Sequence, residues 1–481
     1  MKFKDVKGIG ILLENYLTYE GYNLWHLNEA GLYNSFLKEP RKRNFFEKKK
    51  DTLVRFAINR KRNQRFKRKF VDKEGGDEIL MVPYDMSHVN TFLFLFKKLK
   101  GVRVIRNDGP SAQITRQRLD ANNIPFANLD NFLCENIEEM IVDAGTFLNK
   151  QWNLIQSDMD LKKKLGENYG YVMDVLEYCI KTRKMFIETV RNIGLFREIY
   201  SREKYKIVLV SDDVNATGRI ACLVAKEFNV PSLVIQHGQL QGNPVGEVSA
   251  SYMALNGESE RELLMSEGAE VKKLVVTGQP RFDNIFNNKF DRATSCKELG
   301  IDPSKKVVIF TAQRPLTEGD MTRTALDCFL DTVRNIENRD NYEFVLTMRE
   351  DMSLDDLPKD YKELNLKVLI GGDIHKILAS CDVFTTAFST VAIEAVLLGK
   401  PVISVNIGFD EFVDYTGEGV GFRVQDAKDF TPRLEEVLNS EKFSKSFEIA
   451  RKKFVKNYNC SDDGNSTDRQ INLINKIIKG G

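Results

Sequence analysis

The chain has 481 residues, enough for two or three domains that each bury a core of their own. A composition of 42% hydrophobic and 29% charged residues excludes a disordered or fibrous protein, and no run approaches the ~20 apolar residues of a membrane-spanning helix. The seven cysteines are scattered, odd in number and without a CxxC pair, which argues against a disulfide framework and against a zinc site.

Residues 1–22 carry no signal-peptide pattern, because Lys2, Lys4, Asp5 and Lys7 precede only a brief apolar run that Glu14 interrupts; a cytoplasmic protein is expected. From 7 to 37 the spacing is mixed and fixes no element, although Ile11, Leu12 and Tyr16, then Leu27, Leu32 and Phe36, recur at helical intervals. Between 38 and 70 stand 15 Lys or Arg against Glu39, Glu47 and Asp51, so this block carries +12 and the remainder of a +2 chain carries −10. Three readings are open: a solvated or packed helical face, a patch that docks on anionic lipid, and, last among them, a nucleic-acid patch. Phe45, Phe46, Phe56 and Phe66 interleave with the charges and suit rings dipped into a headgroup layer or packed on the protein.

Residues 78–83 (EILMVP) read as a buried strand, 89–98 as an amphipathic helix and 102–106 as a second strand, which opens a βαβ alternation. The loop holding Asp85, Ser87 and His88 falls beyond the carboxyl end of a strand, where open α/β sheets bind ligands; helix capping by Ser87 beside a bystander His88 is the alternative. Residues 110–200 look mainly helical and suggest an insertion packed on the first sheet. A second alternation then begins with the strand 206–210, the turn SDDVNATGR, a helix over 220–228, a strand over 232–236 and the loop HGQLQGNPVG. Strands at 252–255 and 274–277 follow, the latter ending in GQPRFD.

Around 290–305 the chain turns polar, and LGIDPSKK marks the passage into a new domain. A strand over 306–310 leads to the loop TAQRPLTEG, a helix over 321–336, strands at 343–348 and 367–370, and a short helix at 374–379. Residues 381–406 then read as one βαβ unit: a strand over 382–386, a helix with Ile393, Val396 and Leu397 at helical spacing, a stop at Gly399, Lys400 and Pro401, and a strand over 402–405. Ser389 and Thr390 stand where backbone N–H groups at a helix start suit a phosphate, and Glu394, about a turn further on, can accept from ribose hydroxyls. Plain capping with a solvated Glu394 is the alternative. Helices near 429–437, 441–457 and 467–478 close the chain.

Two successive α/β alternations resemble the GT-B glycosyltransferase architecture, and the motifs do as well. VTGQPRFD at 276–283 is similar to the V-T-G-x-P-x-x-D phrase of GT-B enzymes and of UDP-N-acetylglucosamine 2-epimerases, and FSTVAIEAVLLGKPVI at 388–403 resembles their donor-binding loop and helix. QHG at 236–238 and TTAFST at 385–390 resemble the His-Gly and hydroxyl-rich loops of CDP-glycerol glycerophosphotransferases and capsule-polysaccharide transferases. The likeness covers residues 200 to 410. The hydrolysing epimerases follow their first strand with Gly-Thr-Arg-Pro-Glu, whereas Tyr84, Asp85 and Met86 stand here, which weakens the epimerase reading.

The resemblance implies an α/β fold with two Rossmann-like domains facing a cleft: residues 1–288 with the helical insertion, and 289–481, whose last helix packs back on the first domain. It implies a glycosyltransferase that moves a sugar from a nucleotide-activated donor to a glycan or lipid-linked acceptor in cell-surface polysaccharide assembly, at the inner face of the membrane. Alternatives are a CDP-activated polyol-phosphate transferase of the teichoic-acid type, a UDP-sugar 2-epimerase and a non-catalytic sugar-nucleotide-binding protein. Ser389 and Thr390 would hold the diphosphate and Glu394 the ribose; Arg314 and Arg349 would offset leaving-group charge, unless they form structural ion pairs with neighbours such as Glu350. Gly278 and Gln279 would form an interdomain turn near the donor. His237 is the preferred base, with Asp213 or Asp212 as runner-up, and Asp85 and His88 would lie on the acceptor side. No cofactor and no metal is expected, since GT-B enzymes generally work without a bound divalent ion.

Overall fold

The computed structural model describes residues 3–29, 31–32, 78–83, 86–106, 112–182, 185–236, 238–240, 248–313, 316, 320–350, 352–408 and 413–480. The basic block 38–70 lies outside them, as do Asp85, His237 and Arg314.

Seven strands build the first sheet: β1 Ile79–Val82, β2 Val102–Arg106, β3 Phe126–Asn128, β4 Ile207–Val210, β5 Ser232–Ile235, β6 Tyr252–Leu255 and β7 Leu274–Val276. Every pairing is parallel, in the order β3-β2-β1-β4-β5-β6-β7. Parallel neighbours need crossover helices, and those helices cover both faces, so β1, β4 and β5 are buried along their whole length.

The second sheet repeats the plan with β8 Lys306–Thr311, β9 Tyr342–Met348, β10 Lys367–Ile370, β11 Val383–Thr386, β12 Val402–Val405 and β13 Gly421–Val424. Its order is β10-β9-β8-β11-β12-β13, again parallel throughout. Gly421 is dictated by that last pairing, because a Cβ there would run into the Val402 carbonyl.

Besides β13, which the sequence reading did not place, three elements differ from it. The stretch expected to be mainly helical, 110–200, does hold the helices Ala112–Ala121, Glu135–Ser157 and Met185–Arg202, but also contributes β3 to the sheet edge. The helix after β1 starts at Met86, which puts Ser87 inside the first turn rather than at a cap. The unassigned start of the chain is a helix, Phe3–Leu17, whose Val6, Ile9 and Leu13 pack with Trp25, Leu148, Trp152 and Phe186 in a core separate from both sheets.

The helix Ser466–Gly480 returns to the first sheet, where Ile474 and Ile477 join Val89, Phe92 and Ile207 in one apolar cluster. No helix among the described residues is long and apolar enough to cross a membrane.

Candidate functional site

Strand order reverses once in each sheet, between β1 and β4 and between β8 and β11. Carboxyl-terminal loops diverge at such a point and leave a crevice. In the second sheet that crevice holds a pocket lined by Phe388, Ser389 and Thr390 after β11, by Asn406 after β12, and by Tyr415. Gln239 lines it too, although it follows β5 of the first sheet, two residues beyond His237. The pocket therefore lies where the QHG loop and the hydroxyl-rich loop meet.

The pocket wall is shaped by side chains that the sequence reading did not single out. Gln313, next to Arg314 and just beyond β8, accepts through Oε1 from the Phe388 N–H at 3.0 Å and from the Thr386 hydroxyl at 3.1 Å. Asn406 donates from Nδ2 to the Ala387 carbonyl at 2.8 Å and in turn accepts from Ser404. Ser389 Oγ accepts from the Val391 N–H at 3.2 Å, at the start of the helix Val391–Leu397. The N–H groups of Ser389 and Thr390 donate to no described residue.

Glu394 is buried rather than solvated and lies behind Ile393 without itself lining the pocket. Its Oε2 is 2.9 Å from His375 Nε2, and its Oε1 is 3.5 Å from the guanidinium of Arg281. A carboxylate out of water needs such partners, and two of them still leave lone pairs for a ligand. Arg281 comes from the VTGQPRFD phrase and stacks on Phe282 at 4.8 Å; His375 sits in the helix Ile374–Ser380. Neither was anticipated: a lone histidine 19 residues before its partner gives no sequence signal, whereas the motif around Arg281 could have flagged it.

The rest of VTGQPRFD clasps the end of the chain. Gly278 has φ +80, and a Cβ there would meet Ser466 and the Asn459 carbonyl. Gln279 is buried; its N–H donates to Asn459 Oδ1 at 2.9 Å and its Nε2 to the Gln236 carbonyl at 2.9 Å. Asp283 accepts from the N–H groups of Ser466 at 2.8 Å and Thr467 at 2.7 Å, while Arg469 Nε donates to the Thr277 carbonyl at 2.7 Å. Gly278 and Gln279 thus form a turn between the sheets, packed on the C-terminal segment and not lining the pocket.

Asp213 is fully buried, and its Oδ2 accepts from the N–H groups of Ser249 at 2.7 Å and Ala250 at 3.1 Å. Burial pushes its carboxyl above the ordinary range, against the pull of the nearby Arg219 cation. In this placement Asp213, anticipated as a runner-up base, holds the 249–250 backbone. Asp212 orders the turn before the helix Ala216–Glu227, accepting from Val214 and Asn215 N–H. Arg349 is exposed just beyond β9 and does not line the pocket. His88 falls in the first turn of the helix Met86–Phe96. The backbone on the far side of His237 is held by Asn256, which donates to the Gly238 carbonyl at 3.0 Å, and by Glu260, which accepts from Leu240 N–H at 3.2 Å. No group of three His, Cys, Asp or Glu side chains among the described residues could hold a metal ion.

The architecture has known counterparts. The UDP-GlcNAc 2-epimerase of Neisseria meningitidis, solved bound to UDP-GlcNAc, aligns at a TM-score of 0.53 and 15% identity over 83% of this chain and 99% of that one. The glycotransferase of kitacinnamycin aligns at 0.52 and 15% identity over 83% and 98%. The chain has the GT-B fold. Within this GT-B chain, residues 256–476, a little under half, match the family described as CDP-Glycerol:Poly(glycerophosphate) glycerophosphotransferase. The teichoic acid poly(ribitol-phosphate) polymerase of Bacillus spizizenii (strain ATCC 23059 / NRRL B-14472 / W23) is 24% identical over 217 residues, which are 43% of this chain and 34% of that protein. The match spans about a third of that relative's length.

Proposed function

We propose that the chain is a transferase that takes a group from a nucleotide-activated donor and adds it to a glycan or lipid-linked acceptor in the assembly of a cell-surface polymer. The observation that carries this reading is the pocket shared by Gln239 of the QHG loop and Ser389 and Thr390 of the hydroxyl-rich loop. In this reading the diphosphate lies over Ser389 and Thr390, whose N–H groups have no described partner, and the ribose hydroxyls reach Glu394. His237 would take the acceptor proton from the first-sheet side, and Arg314, beside the loop-shaping Gln313, would offset charge on the leaving diphosphate. Activity would then need no cofactor and survive chelation of divalent ions.

A sugar is the donor group the fold suggests. The family match over 256–476 favours a second reading, a polyol phosphate carried by CDP. Both use the same diphosphate and ribose contacts, so a panel of UDP-, GDP- and CDP-sugars, CDP-glycerol and CDP-ribitol separates them by which donor yields free nucleotide in the presence of acceptor. Thermal stabilisation by none of the corresponding nucleotides would remove both readings, since a ligand at ~100-fold excess over its Kd adds about 2.7 kcal/mol.

A further inference from the structure

The contact between His375 and Glu394 carries more than a packing role. Asn288 Nδ2 donates to the backbone carbonyl of Asn284 at 3.0 Å, which fixes that nitrogen as the donor. The same Nδ2 meets the Asn284 side chain, so the Asn284 atom it meets is the acceptor Oδ1. Asn284 must then turn its own Nδ2 toward His375 Nδ1, at 3.0 Å. An amide NH₂ only donates, so His375 Nδ1 accepts and the ring proton sits on Nε2. That N–H points at Glu394 Oε2, 2.9 Å away. Phe290 closes the assembly, edge-on to the imidazole at 5.5 Å, and the ring is buried.

We propose that His375, locked by Asn284 as the Nε2–H tautomer, is a positioning residue that sets the specificity of Glu394 for ribose over deoxyribose. The proposal rests on the reading of Glu394 as the ribose acceptor. The imidazole consumes one lone pair of Oε2 and Arg281 draws Oε1 from the other side, at 3.5 Å. The carboxylate is thereby held at both oxygens, and its rotation is restricted. Vicinal hydroxyls satisfy that fixed pair of acceptors; a sugar lacking one of them leaves a buried carboxylate oxygen short of a donor, which is the costly case. A carboxylate free to rotate would discriminate less.

Calorimetry of the full chain with ADP, CDP, GDP and UDP, each beside its 2′-deoxy form, tests this. For the bases that bind, the wild type should prefer the ribonucleotide by roughly ten-fold or more. His375→Phe, which keeps the edge-on ring contact and removes the N–H, should bring the ratio close to one, and Asn284→Leu, which keeps the imidazole and frees its tautomer, should lower it part of the way. A ratio unchanged in His375→Phe overturns the proposal and leaves the ribose reading of Glu394 intact. A wild type that binds both forms equally, or binds neither, overturns the ribose reading and the proposal together. If both variants unfold, ¹⁵N spectra of the wild type decide, because only four histidines contribute: a protonated Nε2 beside a bare Nδ1 at pH 7.5 supports the lock, and a proton on Nδ1 overturns it.

Discussion

Gln313 Oε1 accepts a hydrogen bond from the Phe388 N–H at 3.0 Å, and so one side chain from the loop after β8 sets the backbone of the loop after β11. These strands flank the point where the second sheet reverses, and the bond spans the crevice the nucleotide is proposed to occupy. Gln313→Ala leaves the Phe388 N–H and the Thr386 hydroxyl without this partner. At about 1 kcal/mol for each net hydrogen bond, nucleotide affinity should fall by roughly five- to thirty-fold with little change in the cooperativity of unfolding. Calorimetry beside a chemical denaturation curve checks both.

Asp283 ties the VTGQPRFD phrase to the last helix through two hydrogen bonds. It receives two N–H groups of the helix start while buried, where a carboxylate both caps and matches the helix dipole. Asp283→Ala should cost about 2 kcal/mol, with cleavage after residue 460 in limited proteolysis appearing before the second sheet is attacked. Wild-type stability and resistance would place the tie elsewhere.

Glu260 makes stability depend on pH in a predictable direction. Burial is the main cause that raises its carboxyl from an ordinary 4.5 to about 7, in spite of hydrogen bonds from Asn256 and Leu240. Between those values the folded chain keeps a proton that the unfolded chain has released. Stability contributed by this group is therefore full below pH 4.5, falls as pH rises toward 7, and stays flat above. The span is on the order of 3 kcal/mol, and Glu260→Gln should remove it. Denaturation curves at pH 5 and pH 8 for both proteins show whether the difference vanishes.

Most of the fold was legible because the chain repeats one pattern. Apolar runs such as Ile79–Val82 and Ser232–Ile235 are buried on both faces, so they stand out without alternation. The two strands of the large sheets that escaped notice are edge elements. Phe126–Asn128 has one buried residue, and Gly421–Val424 keeps two part-exposed residues at its centre, so neither shows a strand period. At the site, the loop of Ser389 and Thr390 was legible from its hydroxyls and from the helix behind it. Its supports were not: Gln313, Asn406 and His375 act on neighbours that only the sheet order brings close. Asp213 is an instructive case. Asp213 ends a strand as a catalytic residue would, and nothing in SDD tells that its carboxylate is turned inward to Ser249 and Ala250, 36 and 37 residues away.

The nucleotide diphosphate is proposed to bind over the Ser389 and Thr390 backbone. Those two N–H groups donate to no described residue, so in the free protein they should exchange with solvent deuterium quickly. Amide exchange measured with and without the nucleotide that stabilises the chain tests it most directly. Strong slowing is expected over 386–394 and a weaker effect over 236–240; exchange unchanged there while another segment becomes protected would place the diphosphate elsewhere.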